Sequence, residues 1–159
     1  MNKTEYKKLK KRIRYVMIFF ITALVISGIT AFPIEWELEI ARNIIGESDS
    51  YISIWLAKVR EGVHYTGAEY PFIFYGTDWL AFAHIVIAVA FIGVINDPVR
   101  NIWVLEFGMI ACILVIPLAL IAGSVREIPV FWRLIDCSFG GFGIIPILIC
   151  HKWTRKISK

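Results

Sequence analysis

Between Thr77 and Gly123 the chain carries two apolar runs, Trp79 to Ile95 and Ile102 to Gly123, joined by the polar turn Asn96-Asp97-Pro98-Val99-Arg100-Asn101. At about 1.5 Å of rise per residue, each run can cross a hydrocarbon core of about 30 Å with little help from its flanks. The pattern is that of a transmembrane helical hairpin, and the rest of the chain has to be compatible with it.

Two further runs have the same character. Tyr15 to Phe32 follows a basic segment and ends at Pro33, and the last run extends from about Pro129 to Cys150 with Pro146 inside it. The four expected spans are therefore residues 15–32, 77–96, 102–123 and 129–150. Hydrophobic residues make up 58% of the 159, above the roughly 45–50% of soluble domains. The first run is too long for the 7–15-residue apolar core of a typical secretory signal, and no A-x-A site follows it. A chain of this length has room for one integral membrane domain, residues 1–159.

Charge gives the orientation. Lys3, Lys7, Lys8, Lys10, Lys11, Arg12 and Arg14 open the chain, and Lys152, Arg155, Lys156 and Lys159 close it. The positive-inside rule then places both termini in the cytoplasm of a multi-pass protein of the cell membrane. These cations abut membrane spans and are not interleaved with aromatic residues, so membrane lipids and not nucleic acid are the expected partners. Cys112, Cys137 and Cys150 lie in apolar segments without C-x-x-C spacing and read as small buried residues.

Residues 33–76 form the one long non-spanning region, placed outside by the same rule and rich in acids: Glu35, Glu37, Glu39, Glu47, Asp49, Glu61 and Glu69. Ile34, Leu38, Ala41 and Ile45 recur at helical spacing, as do Ile52, Trp55, Leu56 and Val59, with Asp49 or Ser50 as N-cap of the second helix. Gly62 to Gly76 reads as an irregular aromatic stretch suited to the interfacial belt. Asp97 and Pro98 have the punctuation of a helix start, and Pro117 predicts a kink in the third span. Ser27, Gly28 and Ala31 give the first span a small flank that another helix can approach closely. The expected fold is all-α: a four-transmembrane-helix bundle with an extracytoplasmic cap of two short amphipathic helices.

Ionisable residues inside the spans are the candidates for function, because lipid tolerates them only against protein, water or ligand. Arg133, Asp136, Gly140 and Gly143 follow spacings of three, four and three and share one helix face. Arg133 or Arg126 is the expected partner of Asp136. His84 shares a face with Thr77, Ala81, Ala88 and Phe91 and lies at the depth of Asp136, so His84, Arg126, Arg133, Asp136, Gly140 and Gly143 are the candidate ligand-binding set. Glu106 enters from the other side of the membrane, with Arg14 or Arg100 as partner. Asp78 reads as an N-cap, His64 as a loop residue and His151 as a cytoplasmic-end residue that snorkels.

The combination favours a small membrane protein whose outer half holds a polar pocket for a lipid-like or small amphipathic ligand. A second reading is a non-catalytic subunit of a homo-oligomer or larger membrane complex. A third is a b-type haem carrier, with His84 and His64 as axial ligands, or a membrane enzyme. No metal site is expected, since no H-E-x-x-H or E-x-x-H spacing occurs, and Ser138 near Asp136 lacks any nucleophile elbow.

Overall fold

The computed structural model describes residues 2–46 and 48–158, and among these it is helical, with no strand. Helix α1 spans Lys3–Thr30, α2 Ile34–Ile45, α3 Tyr51–Glu69, α4 Tyr75–Asn96, α5 Ile102–Val125 and α6 Val130–Ile157, and a 3₁₀ turn, Pro71–Phe74, joins α3 to α4. α1, α4 with its preceding turn, α5 and α6 are long and apolar enough to cross a membrane. Only 17–22% of the most apolar stretch in each is buried within the protein. Side chains such as Phe19, Phe82, Leu118 and Phe142 instead point outward, as the helices of a multi-pass protein do when the surrounding solvent is acyl chain.

The helices exceed the expected spans for local reasons. Lys, Arg, Glu and Leu are good helix formers and neither glycine nor proline interrupts residues 3–27, so the basic opening segment joins the first span in one helix. At the far end α6 runs through the basic tail to Ile157, with Arg155 and Lys156 in its last turn, where cations suit the helix dipole. Residues 62–76 are not irregular: α3 continues to Glu69, the 3₁₀ turn follows at Pro71, and α4 begins at Tyr75. Gly67 is accommodated because the Phe74 ring lies 3.0 Å from where its Cβ would be. Asp78 consequently sits within the first turn of α4 and does not cap it. Ser50 does cap α3, its hydroxyl accepting from the Ser53 N–H at 3.2 Å.

Asp97 and Pro98 do not start α5, which begins at Ile102 after Asn101. The Asp97 carboxylate accepts the Arg100 N–H at 3.0 Å and closes a separate turn. Asn101 clamps that turn to the preceding helix, its Nδ2 donating to the carbonyls of Gly93 and Asp97 at 2.9 Å each. At the other end of α5 the Ile128 N–H reaches the Gly123 carbonyl at 2.8 Å and the Glu127 N–H reaches Ser124 at 3.2 Å. This is the Schellman pattern, with Glu127 at φ 56° in the left-handed position that glycine usually takes.

The chain forms two compact units. The first contains α1 up to Thr22 and everything from Ala88 onward. Its core takes two residues from each long helix: Ile13 and Met17, Phe91 and Val94, Val104 and Leu105, Ile147 and Cys150, all at most 1% exposed. Phe20 meets Phe91 edge-on at 4.9 Å. α5 and α6 pack on small residues: the Cys112 carbonyl of α5 lies too close to Gly140 to leave room for a Cβ there, and the Cys112 Sγ lies 3.4 Å from the Cβ position of Gly143. The second unit is Ala23–Ile87. There the Ala81 carbonyl and the His84 Cβ of α4 lie 2.8 and 3.1 Å from the Cβ position of Gly28, so the small residue expected to admit a neighbour does so. α2 packs on α3 through buried Leu38 and Leu56. Glu39 lies 3.6 Å from both Arg42 and Arg60 at the edge of that contact.

Candidate functional site

The Schellman turn ends α5 and sets α6 back along it after only a short connection. A groove of about 340 Å3 results, lined by Val115, Leu118, Ala119, Ala122, Gly123 and Arg126 of the α5 side, Ile128 of the turn, and Asp136 of α6. The lining is almost wholly apolar, with one carboxylate and one guanidinium as its ionisable groups. Ala119, Ala122 and Gly123 keep its floor low because they project little or no side chain.

Arg133 and Asp136 share a face of α6 but do not pair. Arg133 lays its stem across Gly123, with Cγ and Cδ each 2.6 Å from where a Cβ would be, and its Nε is buried without a hydrogen-bond partner. That glycine opening draws the guanidinium towards α5 and away from the carboxylate one turn on. Among the described residues Asp136 has neither an ion pair nor a side-chain hydrogen bond, and Arg126, on the same groove, does not reach it either. The expected Asp136–arginine bond is not formed: Arg126, Arg133 and Asp136 gather around Gly123 without an ion pair among them. Gly140 and Gly143 share their face but serve the packing of α6 on α5, where Cys112 fills the space before them.

His84 lies in the second unit, half-buried on α4. Its Nδ1 is 2.9 Å from the Leu80 carbonyl. A carbonyl can only accept, so Nδ1 is the donor in this bond. His64 belongs to helix α3 and not to a loop; its side chain is 82% exposed and lies 3.9 Å from Glu35. Such exposure gives an axial haem ligand none of the burial it needs.

Glu106 also has a partner that its sequence neighbourhood did not suggest. His151 Nε2 lies 3.4 Å from its carboxylate, across the α5–α6 seam, and the imidazole is only 17% exposed. Neither Arg14 nor Arg100 takes that place, and His151 turns into the bundle instead of snorkelling out. The pairing was hard to foresee because the partners are 45 positions apart; the one available signal was that both lie near the same end of their spans, Glu106 about a turn inside and His151 next to Cys150. Ser138 donates to the Ile135 carbonyl of its own helix at 2.6 Å, which ties its hydroxyl to the backbone. Among the described residues no group of three His, Cys, Asp or Glu is placed to hold a metal ion.

Comparison of the chain with known protein families, with curated proteins and with solved structures returns no match.

Proposed function

We propose that this small multi-pass membrane protein binds a lipid-like amphiphile in the α5–α6 groove, with the polar head at Asp136, Arg126 and Arg133 and the apolar part along Val115, Leu118 and Ala119. One observation carries the reading: an unpaired carboxylate and an unpaired guanidinium line an apolar groove in a membrane helix pair, and the Arg133 stem lies against Gly123 in its floor with a buried, unpartnered Nε. Leaving such groups unsatisfied away from water is costly, and a ligand that satisfies them recovers that cost. Two cations beside one anion match a zwitterionic head, in which a phosphate meets the arginines and an ammonium meets Asp136. In the same reading both termini are cytoplasmic in the cell membrane, and α2 and α3 are extracytoplasmic amphipathic helices.

The test uses delipidated full-length protein titrated with phosphatidylethanolamine and followed by native mass spectrometry. Asp136→Asn and Arg126→Gln should each weaken retention at least tenfold while the melting temperature stays within the scatter of the parent. Undiminished retention in Asp136→Asn would refute the assignment. Copurification of a stoichiometric protein partner that covers the groove would favour the subunit reading instead.

A further inference from the structure

A second cleft lies at the other end of α6, twenty residues beyond Asp136 and so about 30 Å away along the helix. It is formed by the start of α1 and the end of α6, has a volume of about 1090 Å3, and is lined by Glu5, Lys8, Leu9, Arg12, Ile149, Lys152, Trp153, Arg155 and Lys156. The two walls carry matching patterns. Glu5, Lys8, Leu9 and Arg12 follow i, i+3, i+4, i+7 on α1, and Ile149, Lys152, Trp153 and Lys156 follow the same spacing on α6. Each wall thus has an apolar base and a charged rim.

The rim holds five cations and one carboxylate. Glu5 is committed to Lys156, whose ammonium lies 2.7 Å from it. The Arg12 guanidinium sits over the Trp153 ring at 6.0 Å, which orients it without neutralising it. Lys8, Lys152 and Arg155 have no acidic partner among the described residues. Four cations are therefore left without a counter-charge around a floor of Leu9, Ile149 and Trp153. Further along the two helices come exposed apolar side chains, Tyr15, Ile18 and Phe19 on α1 and Phe142 and Ile145 on α6. A basic ring over an apolar floor, with exposed apolar helix surface beyond it, suits a lipid placed with its head in the cleft. A soluble anion would use the ring and leave the floor bare, and a singly charged headgroup would leave most of the ring unneutralised.

We infer that the α1–α6 cleft is a binding site for a membrane lipid with a multiply charged phosphate headgroup. The ring at Lys8, Arg12, Lys152 and Arg155 receives the phosphate, and the acyl chains descend over Leu9 and Ile149. The inference does not depend on the α5–α6 groove, because it uses other residues at the opposite end of the helix.

The experiment uses the full-length protein in nanodiscs of phosphatidylcholine doped with phosphatidic acid or with phosphatidylglycerol, and measures enrichment of each anionic lipid around the protein. Phosphatidic acid should be enriched over phosphatidylglycerol in the parent. Lys152→Ala with Arg155→Ala should reduce its binding more than tenfold. Lys3→Ala with Lys7→Ala removes the same charge from the same basic region but outside the cleft, and should change binding less than twofold. Glu5→Gln should strengthen binding about fivefold, the factor expected for one more free cation at an anionic surface, and a gain of this kind cannot come from misfolding. Equal losses in the two double variants, no gain in Glu5→Gln, or displacement of phosphatidic acid by millimolar inorganic phosphate would each overturn the inference.

Discussion

Replacing Gly140 by alanine adds one methyl group at the closest point of the α5–α6 seam. The new Cβ would clash with the Cys112 carbonyl oxygen and come within 3.4 Å of its carbon and 3.6 Å of the Val115 Cβ. A helical carbonyl is fixed by its own hydrogen-bond ladder and cannot swing aside as a side-chain tip can, so the two helices must separate. Overpacking of this sort costs about 1–3 kcal/mol. Gly141 is the built-in control, because a Cβ there meets nothing within 4 Å. Both substitutions share the gain of about 0.5–1 kcal/mol that alanine has over glycine in a helix interior. The difference between the two variants therefore isolates the seam, and should be about 1–3 kcal/mol, or about fivefold to more than a hundredfold in the unfolding equilibrium. Equilibrium unfolding of the two proteins in bicelles, read by steric trapping, measures that difference directly. Stabilities equal within about 0.5 kcal/mol, the scatter of substitutions at indifferent sites, would refute the close packing of α6 on α5.

Asn101→Ala removes both bonds that clamp the turn to α4 and should cost about 1–2 kcal/mol, measured by the same unfolding assay. At Glu127, held at φ 56°, glycine should be neutral or stabilising by up to about 1 kcal/mol, whereas valine, whose branched Cβ resists that conformation, should destabilise by at least about 1 kcal/mol. Cysteines introduced at Lys3 and Ser158 should resist a membrane-impermeant maleimide in intact cells and react after permeabilisation; labelling of either in intact cells would overturn the cytoplasmic assignment of that terminus.

The elements were legible where one local cause decides them. Unbroken apolar length marked the four long helices, Asp49 or Ser50 ahead of an apolar period marked the start of α3, where Ser50 is the cap, and the small flank at Gly28 marked a close approach, which α4 makes. Boundaries were misread where two signals competed. Asp97-Pro98 has the chemistry of a helix start, but Asn101 turned the hexapeptide into a clamped turn and moved the true start to Ile102. The site was less legible than the fold, because spacing along one helix fixes which side chains share a face and not where their ends go. Arg133 and Asp136 are a turn apart, yet a glycine on the neighbouring helix offers the arginine stem a bed and draws it away. Glu106 and His151 show the converse, a pair set by two helices lying side by side with nothing local to announce it.

The outward-facing apolar surface of the long helices has a consequence for how this fold tolerates change. Acyl chains accept leucine, isoleucine, valine and phenylalanine almost interchangeably, so most positions in the spans need only keep their apolar character. Identity matters along a thin seam: the eight buried core side chains, the glycines at 28, 108, 123 and 140, and the polar turn at residues 96–101. A library that shuffles aliphatic residues across Phe19, Leu118 and their outward neighbours should return mostly folded protein, while one confined to the seam should return very little. Two chains could then share this architecture while agreeing at only a small fraction of their positions.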